Sequence, residues 1–463
     1  MSNFEPTEEQ QAIIFPGKFS SAMIIAKAGS GKTNTLVRRA VNQAKQIKPW
    51  KNIAIISFTK TSSEDIRLKL KQLHGKQVMV LTFHAFLINH VLAFDSHFRN
   101  KKILFDFYDK STSLSEWLNK FKTNHVITGS KEPKGDYIFQ YALETLNTNS
   151  YIPKYLQSRF EAIYIDEAQD NNQLQYQIIK VLLDIGVQVV LVGDPNQTIY
   201  GFRGANSQAF RNMQSISHFE NNIYELTRNF RCHELISQCA ENYTIPTQSL
   251  ISKEDDTSYG VLIITIDNLS RIIETFNEEK FLHKGLCFLF WSLGKPYSGQ
   301  IIEDYNLIVI DLPKFIREQS KDAIYEENLN LLFRLFFSDI SFEFIYIERF
   351  LPNLKSQTAR ELIRGFKNNL SLDTLKALNY HIGFIKEEHF EEIVNSLKLP
   401  ETKQFYRLDK TKNYAMTIHA SKGLEFKNVV LNTKDFSEMH EENTRNMFYV
   451  ACTRAEKRLF FVR

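Results

Sequence analysis

The run Ala26-Lys27-Ala28-Gly29-Ser30-Gly31-Lys32-Thr33 directly follows an apolar stretch at residues 22–25. This order leaves few folds open, because a strand must end in a tight glycine turn and a helix must open at Lys32. Gly29 and Gly31 let the backbone turn so that successive N–H groups point at one anion. Lys32 can reach the β/γ-phosphates of a nucleotide, and the Thr33 hydroxyl can hold Mg²⁺. The dipole of the helix adds positive potential at the same spot. The first position of this phosphate-loop pattern, usually Gly, is Ala26.

A chain of 463 residues exceeds one hydrophobic core and implies roughly two to four domains. No apolar run approaches the roughly 20 residues that span a bilayer, so no membrane partner is expected. The polar, acidic start shows no signal peptide. The four cysteines, Cys232, Cys239, Cys287 and Cys452, include no C-x-x-C pair and read as reduced thiols of a cytoplasmic protein. Net charge is only +4, so nucleic-acid binding cannot be argued from charge.

Short apolar segments alternate with helical patterns at both ends, which predicts α/β units with parallel sheets. The first set of strands is expected at 22–26, 53–58, 77–82, 162–166 and 187–193. Most of them end next to a polar or glycine residue, as strands do that deliver side chains to a crevice. Residues 84–155 read as helical, with a loop at 129–135. A second set of strands is expected at 261–266, 286–290, 414–418 and 428–431, followed by a helix and strand over 443–462. A Phe- and Leu-rich helical stretch at 312–399 interrupts this set. Its Phe333, Phe336 and Phe337 read as core.

Asp166-Glu167-Ala168-Gln169-Asp170 follows the fourth strand. One carboxylate at a strand end can hold Mg²⁺ while its neighbour takes a proton from water; Asp166 is assigned the metal and Glu167 the base. A solvated acidic turn is the bland alternative. After the fifth strand, Gln197 is placed to sense the γ-phosphate. Tyr200 and Phe202 offer faces for unpaired bases, although in a chain with 37 Phe and 19 Tyr they also read as core.

Taken in order, these motifs resemble those of UvrD/Rep-type superfamily 1A helicases. Residues 7–13 resemble the Q motif, which implies Gln10 on the adenine edge. Ser57-Phe58-Thr59-Lys60 and Thr82-Phe83-His84-Ala85 resemble motifs lining a single-strand groove. Residues 166–170 match the DExxD box, and 197–205 match the coupling motif with Phe202 in place of the usual Trp. Leu226-Thr227-Arg228-Asn229-Phe230-Arg231, residues 418–426 and residues 449–455 resemble the fourth, fifth and sixth motifs.

The resemblance implies two RecA-like parallel-sheet domains, each with a helical insertion. Their expected bounds are 1–85 with 156–235, insert 86–155, then 236–311 with 400–463, insert 312–399. It implies catalytic roles for Glu167, Gln197, Arg231 and Arg454. It implies an ATP site from Gln10, Ala28, Gly29, Ser30, Gly31, Lys32, Thr33, Asn34, Phe230 and Glu425, with Mg²⁺ at Thr33 and Asp166. DNA would run over Phe58, Thr82, His84, Tyr200, Phe202, Arg203 and His419.

There are departures from the family pattern. Asn34 and Thr35 stand where a base-contacting Arg is common, and the second insert is short. The chain ends right after its last strand, with no tail or nuclease domain expected. This compactness resembles the small UvrD-like subunits of bacterial antiviral systems such as the Gabija type.

The implied activity is ATP-driven 3′-to-5′ movement on single-stranded DNA with unwinding of tailed duplexes. The alternatives are a translocase that does not unwind unaided, and an ATP-switched subunit of a partner such as a nuclease. Outside the motif context, His84 and His419 read as satisfied core imidazoles and Lys60 and Lys422 as solvated lysines. His74, His90 and His97 read as surface or packing residues.

Overall fold

The computed structural model describes residues 5–57, 60–75, 77–95, 97–99, 103–130, 136–254, 257–277, 284–311, 313–319, 323–338, 343, 346–347, 350–351 and 354–463. In chain order the first strands are β1 Ala22–Ala26, β2 Asn52–Ser57, β3 Val78–Thr82, β4 Leu104–Ser111, β5 Val126–Ser130, β6 Phe160–Ile165, β7 Gln188–Gly193 and β8 Ile223–Leu226. Six of these form one fully parallel sheet in the order β3-β2-β6-β7-β1-β8.

The period of two along each strand divides its apolar residues between two cores. Ile24, Ile55, Tyr164 and Val190 face helix Lys32–Ala44, whose Leu36, Val37 and Ala40 recur at helical spacing. Met23, Ala54, Ile163 and Leu191 face the opposite side, where Phe86, Trp117, Phe139 and Ile152 pack. The first insertion therefore shares a core with the sheet.

That insertion is not all helical. β4 and β5 pair in parallel inside it. The Phe-Asp-Phe-Tyr-Asp run within β4 is rich in strand-favouring aromatics but keeps no strict alternation, and helical patterns flank it on either side. Residues 129 and 130 of the expected loop lie in β5, and 131–135 lie outside the described residues.

The later strands are β9 Leu250–Glu254, β10 Thr257–Ile264, β11 Cys287–Phe290, β12 Ile308–Val309, β13 Tyr414–Thr417, β14 Phe426–Asn432 and β15 Ala455–Val462. They form a second sheet in the order β12-β13-β11-β14-β15-β10-β9, parallel except where β9 meets β10. Leu289, Met416, Val429 and Leu459 fill the core on one face, while Phe288, Ala415, Val430 and Phe460 fill the other.

Helices between Lys314 and Tyr406 build a separate core around Leu332, Phe333, Ile363 and Ile393. Helix Pro400–Tyr406 belongs with it, since the Tyr406 hydroxyl donates to Asn330 Oδ1 at 2.7 Å and its ring stacks on Phe337. Leu68 of helix Lys60–Gln72 packs against this core, and Arg334 pairs with the nearly buried Glu64.

Phe86 is fully buried against Phe83 and Phe160, where insertion meets sheet. Phe86→Ala is expected to cost about 3–5 kcal/mol in urea unfolding of the first lobe. A loss under about 1 kcal/mol would mean that the insertion folds independently of the sheet.

Candidate nucleotide cleft and aromatic crossing

The carboxyl ends of β1, β6, β7 and β8 open on one crevice. Gly29 and Gly31 leave β1 with φ of +72° and +77°. A Cβ at Gly29 would lie 2.4 Å from Asn229 Oδ1 and 2.8 Å from Arg231 Cβ, so the turn is packed tightly against the segment after β8. The Phe230 N–H donates to the Gly29 carbonyl at 2.9 Å. No side chain caps helix Lys32–Ala44 at its N-terminus, which leaves first-turn N–H groups for a ligand.

β6 delivers Asp166 and Glu167. Glu167 has φ of +51°, a left-handed conformation that aims its carboxylate at Lys32, 2.8 Å away. Gln169 Nε2 donates to the same carboxylate at 2.6 Å. Burial works against charge on Lys32, but Glu167, Asp166 and Asp194 together outweigh it and raise its pKa. Within the adjacent carboxylates, burial and then the charge of Glu167 push Asp166 up. Glu167 is held low against burial, chiefly by Lys32 and then by Lys422. The Thr33 hydroxyl donates to Asp166 Oδ2 at 3.3 Å. Two hard oxygen donors beside a buried lysine and an uncapped helix suit a Mg²⁺-bound polyphosphate.

β7 delivers Asp194 and Gln197, and Gln197 Nε2 donates to Asp194 Oδ2 at 2.7 Å. The Gln10 amide is occupied on two sides: Nε2 donates to the Ser30 carbonyl at 3.2 Å and Oε1 accepts from Thr7 N–H at 3.1 Å. It braces the phosphate loop in this arrangement. Asn34 Oδ1 accepts from Arg38 Nε at 3.1 Å. Phe230 is half exposed, with the Arg228 guanidinium 5.1 Å from its ring centre.

The second sheet faces this crevice. Arg231 pairs with Glu425 at 2.6 Å and donates to the Thr453 carbonyl at 3.4 Å. Arg454 is buried and donates to the carbonyls of Val450 at 3.0 Å and Leu424 at 3.2 Å. Burial and then the neighbouring Arg231 push its pKa down to about 10, while Glu167 and Glu425 act the other way.

Lys422, read from sequence as a candidate solvated lysine, is instead held inside the cleft. Its ammonium lies 2.6 Å from Asp170 Oδ2 and donates to the Gln197 carbonyl at 3.0 Å. Burial lifts Asp170 to about 6 even against Lys422. Ala28 N–H donates to the Tyr449 hydroxyl at 3.2 Å, and Lys27 pairs with Glu241 at 2.8 Å. Lys422, Tyr449, Asp170 and Asp194 are cleft residues to which sequence reasoning gave no role. Lys422 and Tyr449 lie within the fifth and sixth motif runs, and Asp170 within the acidic box, which was the available signal.

At the mouth of the same crossing, Tyr200, Phe202 and His419 gather with ring centres 5.6–6.0 Å apart. The Arg203 guanidinium lies 5.5 Å from both the Tyr200 and Phe202 rings, and Lys422 Nζ lies 4.7 Å from Tyr200. His419 Nε2 donates to the Ile199 carbonyl at 3.1 Å. Burial, more than the nearby Lys422 and Arg203, lowers its pKa. Phe202 is 63% exposed, so it is not a core residue.

Thr82 caps helix Phe83–His90 by accepting from Ala85 N–H, and His84 Nε2 lies 3.4 Å from Asp136. His90 is a packing residue between Tyr155 and Phe160, with its pKa pushed down to about 4 by burial and then Arg159. Phe58 and the Lys60 side chain lie outside the described residues.

Against known proteins, residues 6–131 and 125–218 match the UvrD/REP helicase N-terminal domain, and residues 412–462 match the UvrD-like helicase C-terminal domain. The chain is 25% identical to the Gabija protein GajB of Bacillus cereus (strain VD045), over 95% of this chain and 92% of that protein. It is 23% identical to the ATP-dependent DNA helicase Rep of Buchnera aphidicola subsp. Schizaphis graminum, over 95% and 90%. It is 25% identical to the ATP-dependent DNA helicase PcrA of Staphylococcus aureus (strain Mu50 / ATCC 700699), over 47% and 37%.

Lys422→Met removes the cation beside a buried carboxylate. It is expected to cost about 3–5 kcal/mol in denaturant unfolding. Double replacement with Asp170→Leu should recover most of that loss. A small loss in the single variant would mean that Asp170 is hydrated and the pair carries little of the docking.

Proposed function

The chain belongs to the UvrD-like superfamily 1 helicases, and from that premise we propose an ATP-driven motor that moves 3′ to 5′ along single-stranded DNA and separates tailed duplexes. In this reading the chain divides near the bounds expected from sequence, and the protein works in the cytoplasm. No described helix is long and apolar enough to cross a membrane. The observation that carries the reading is the cleft itself: the phosphate loop, Glu167 and Gln197 on one side, Glu425 and Arg454 against them from the second sheet, and Arg231 between, on the segment that follows β8.

Lys32 holds Glu167 in an ion pair. A triphosphate offers Lys32 a partner of higher charge, and Glu167 is then released toward an attacking water as general base. Thr33 and Asp166 would hold Mg²⁺, which would neutralise charge on the phosphate oxygens. Gln197 orients the water. Arg231 and Arg454 exchange carboxylate and carbonyl partners for the transferring phosphoryl group, a contact typically worth about 10³–10⁵ in rate. Those contacts exist only while nucleotide is bound, so binding draws the lobes together and product release relaxes them. Tyr200, Phe202 and His419 sit where the lobes cross and hold bases in turn as the cleft cycles.

Similarity to Gabija protein GajB over nearly the full length of both chains favours a second reading. In it, the protein is an ATPase and DNA sensor whose output needs a protein partner such as a nuclease, with little unwinding of its own. Strand displacement by the isolated protein on 3′-tailed and 5′-tailed duplexes separates the two. Unwinding of the 3′-tailed substrate supports the motor; DNA-stimulated ATPase without displacement favours the partner-dependent subunit.

Glu167→Gln is expected to retain ATP binding and lose turnover by at least 10²-fold, of the order that general-base catalysis supplies. An equal loss of binding and turnover would remove it as the base. Phe202→Ala should leave basal ATPase intact while weakening its stimulation by single-stranded DNA. Unchanged stimulation would rule out stacking at this ring.

A further inference from the structure

Three adjacent strands of the second sheet, β13, β11 and β14, end at one edge. In parallel register Phe290 stands opposite Thr417, and Ile418 N–H donates to the Phe290 carbonyl at 2.9 Å. Trp291 therefore leaves β11 beside the residue that precedes His419, on the crossing cluster's own edge. Neighbouring parallel strands lie only about 5 Å apart.

The loop that begins at Trp291 is pinned from the other neighbour. Asp435, just after β14, has a fully buried carboxylate. It accepts from Trp291 N–H at 3.2 Å, from Lys295 Nζ at 3.0 Å and from the Tyr297 hydroxyl. Lys295 stays 41% exposed, with its ammonium 6.0 Å from the Trp291 ring centre and 5.6 Å from that of Tyr297. Trp291 is half-buried, packed against the core on one side. An aromatic face, a partly exposed cation and a rigid anchor stand together, and none of them belongs to the cleft.

We propose that Trp291 and Lys295 form a second station for single-stranded nucleic acid, one base lying on the indole and the adjoining phosphate meeting the ammonium. This inference rests on the reading of the chain as a single-strand motor and extends the strand's path beyond Tyr200, Phe202 and His419. Stacking on an aromatic face tolerates any base, as a motor requires. The buried Asp435 carboxylate takes up one of the three Lys295 donors and leaves the others for a phosphate oxygen.

The chain has three tryptophans, and their placement gives a direct readout. Trp117 is fully buried in the first lobe, and Trp50 is exposed just ahead of β2, at the edge opposite the cleft. In full-length Trp50→Phe protein, oligo(dT) is expected to quench the tryptophan emission, and adding Trp291→Phe should abolish the quench. Trp291→Ala should weaken oligo(dT) binding, read by anisotropy, roughly 5- to 150-fold. Lys295→Gln should reduce the slope of log affinity against log salt by about 0.7.

Oligo(dT) binding with unchanged emission, or a quench that survives Trp291→Phe, would overturn the station and leave the motor reading standing. No oligo(dT) binding by the unaltered protein would overturn both. The Phe substitution keeps an aromatic ring in place, so the test survives if Trp291→Ala does not fold.

Discussion

A lysine ammonium buried between two lobes holds this arrangement together. Lys422 leaves the segment after β13, crosses to the first lobe and ends on Asp170 and the Gln197 carbonyl. Removing two charges from water is costly, and the attraction offsets that cost only when geometry is close and remaining donors find partners. At 2.6 Å to the carboxylate and 3.0 Å to the carbonyl the geometry is close and two of the three ammonium donors are used, while Asp170 Oδ1 has no hydrogen-bond partner among the described residues. Asn446 donating to the Thr198 carbonyl and Tyr449 accepting from Ala28 N–H extend the seam on either side. Ala28 and Ile199 of the first lobe also lie in the apolar core of the second, and the paired polar groups around them make the relative placement of the lobes specific.

The cleft within this seam pairs most of its charged groups internally. Lys32 is paired with Glu167, Arg231 with Glu425, and Arg454 with carbonyls. Such internal pairing lets a cluster of buried ionisable groups persist, since an unpaired charge there would shift its pKa and neutralise. Under the proposed reading, the same groups must be exchanged for phosphate contacts in every cycle. A triphosphate is suited to do this because its charge exceeds that of any one carboxylate it displaces.

Much of the fold was legible because its signals were local. Residues 22–26 are a strand at the expected bounds, since a short apolar run ending in a glycine turn has few alternatives. β8 was missed: with four residues, Ile-Tyr-Glu-Leu, it carries too little pattern to count as a strand, and pairing with β1 creates it. β4 and β5 were missed for a similar reason inside a helical context. At the site, residue types announced phosphate chemistry, but partners did not. That Lys422 pairs across 252 positions with Asp170 is a fact of tertiary packing, and a lone lysine in sequence looks like any surface lysine. Gln10 shows the same limit, because its amide meets Ser30 in the fold and sequence order says nothing of that distance.

The exposed ring of Phe202 is the counterpart of that buried lysine. Phe83 and Phe86 of the first lobe are buried and contribute to the core. Phe202 is largely exposed, which forgoes most of the roughly 25 cal/mol per Å² that burial would return. It is held edge-on to Tyr200 and His419 by a short turn that ends at Gly204 with φ of +90°, so its exposure is imposed by the backbone. Lys422 contacts both Asp170 in the cleft and the face of Tyr200 in this cluster. A change of charge at Asp170 and a change of ring packing at Tyr200 are therefore felt by one side chain. That contiguity gives the proposed motor a physical route between nucleotide and strand.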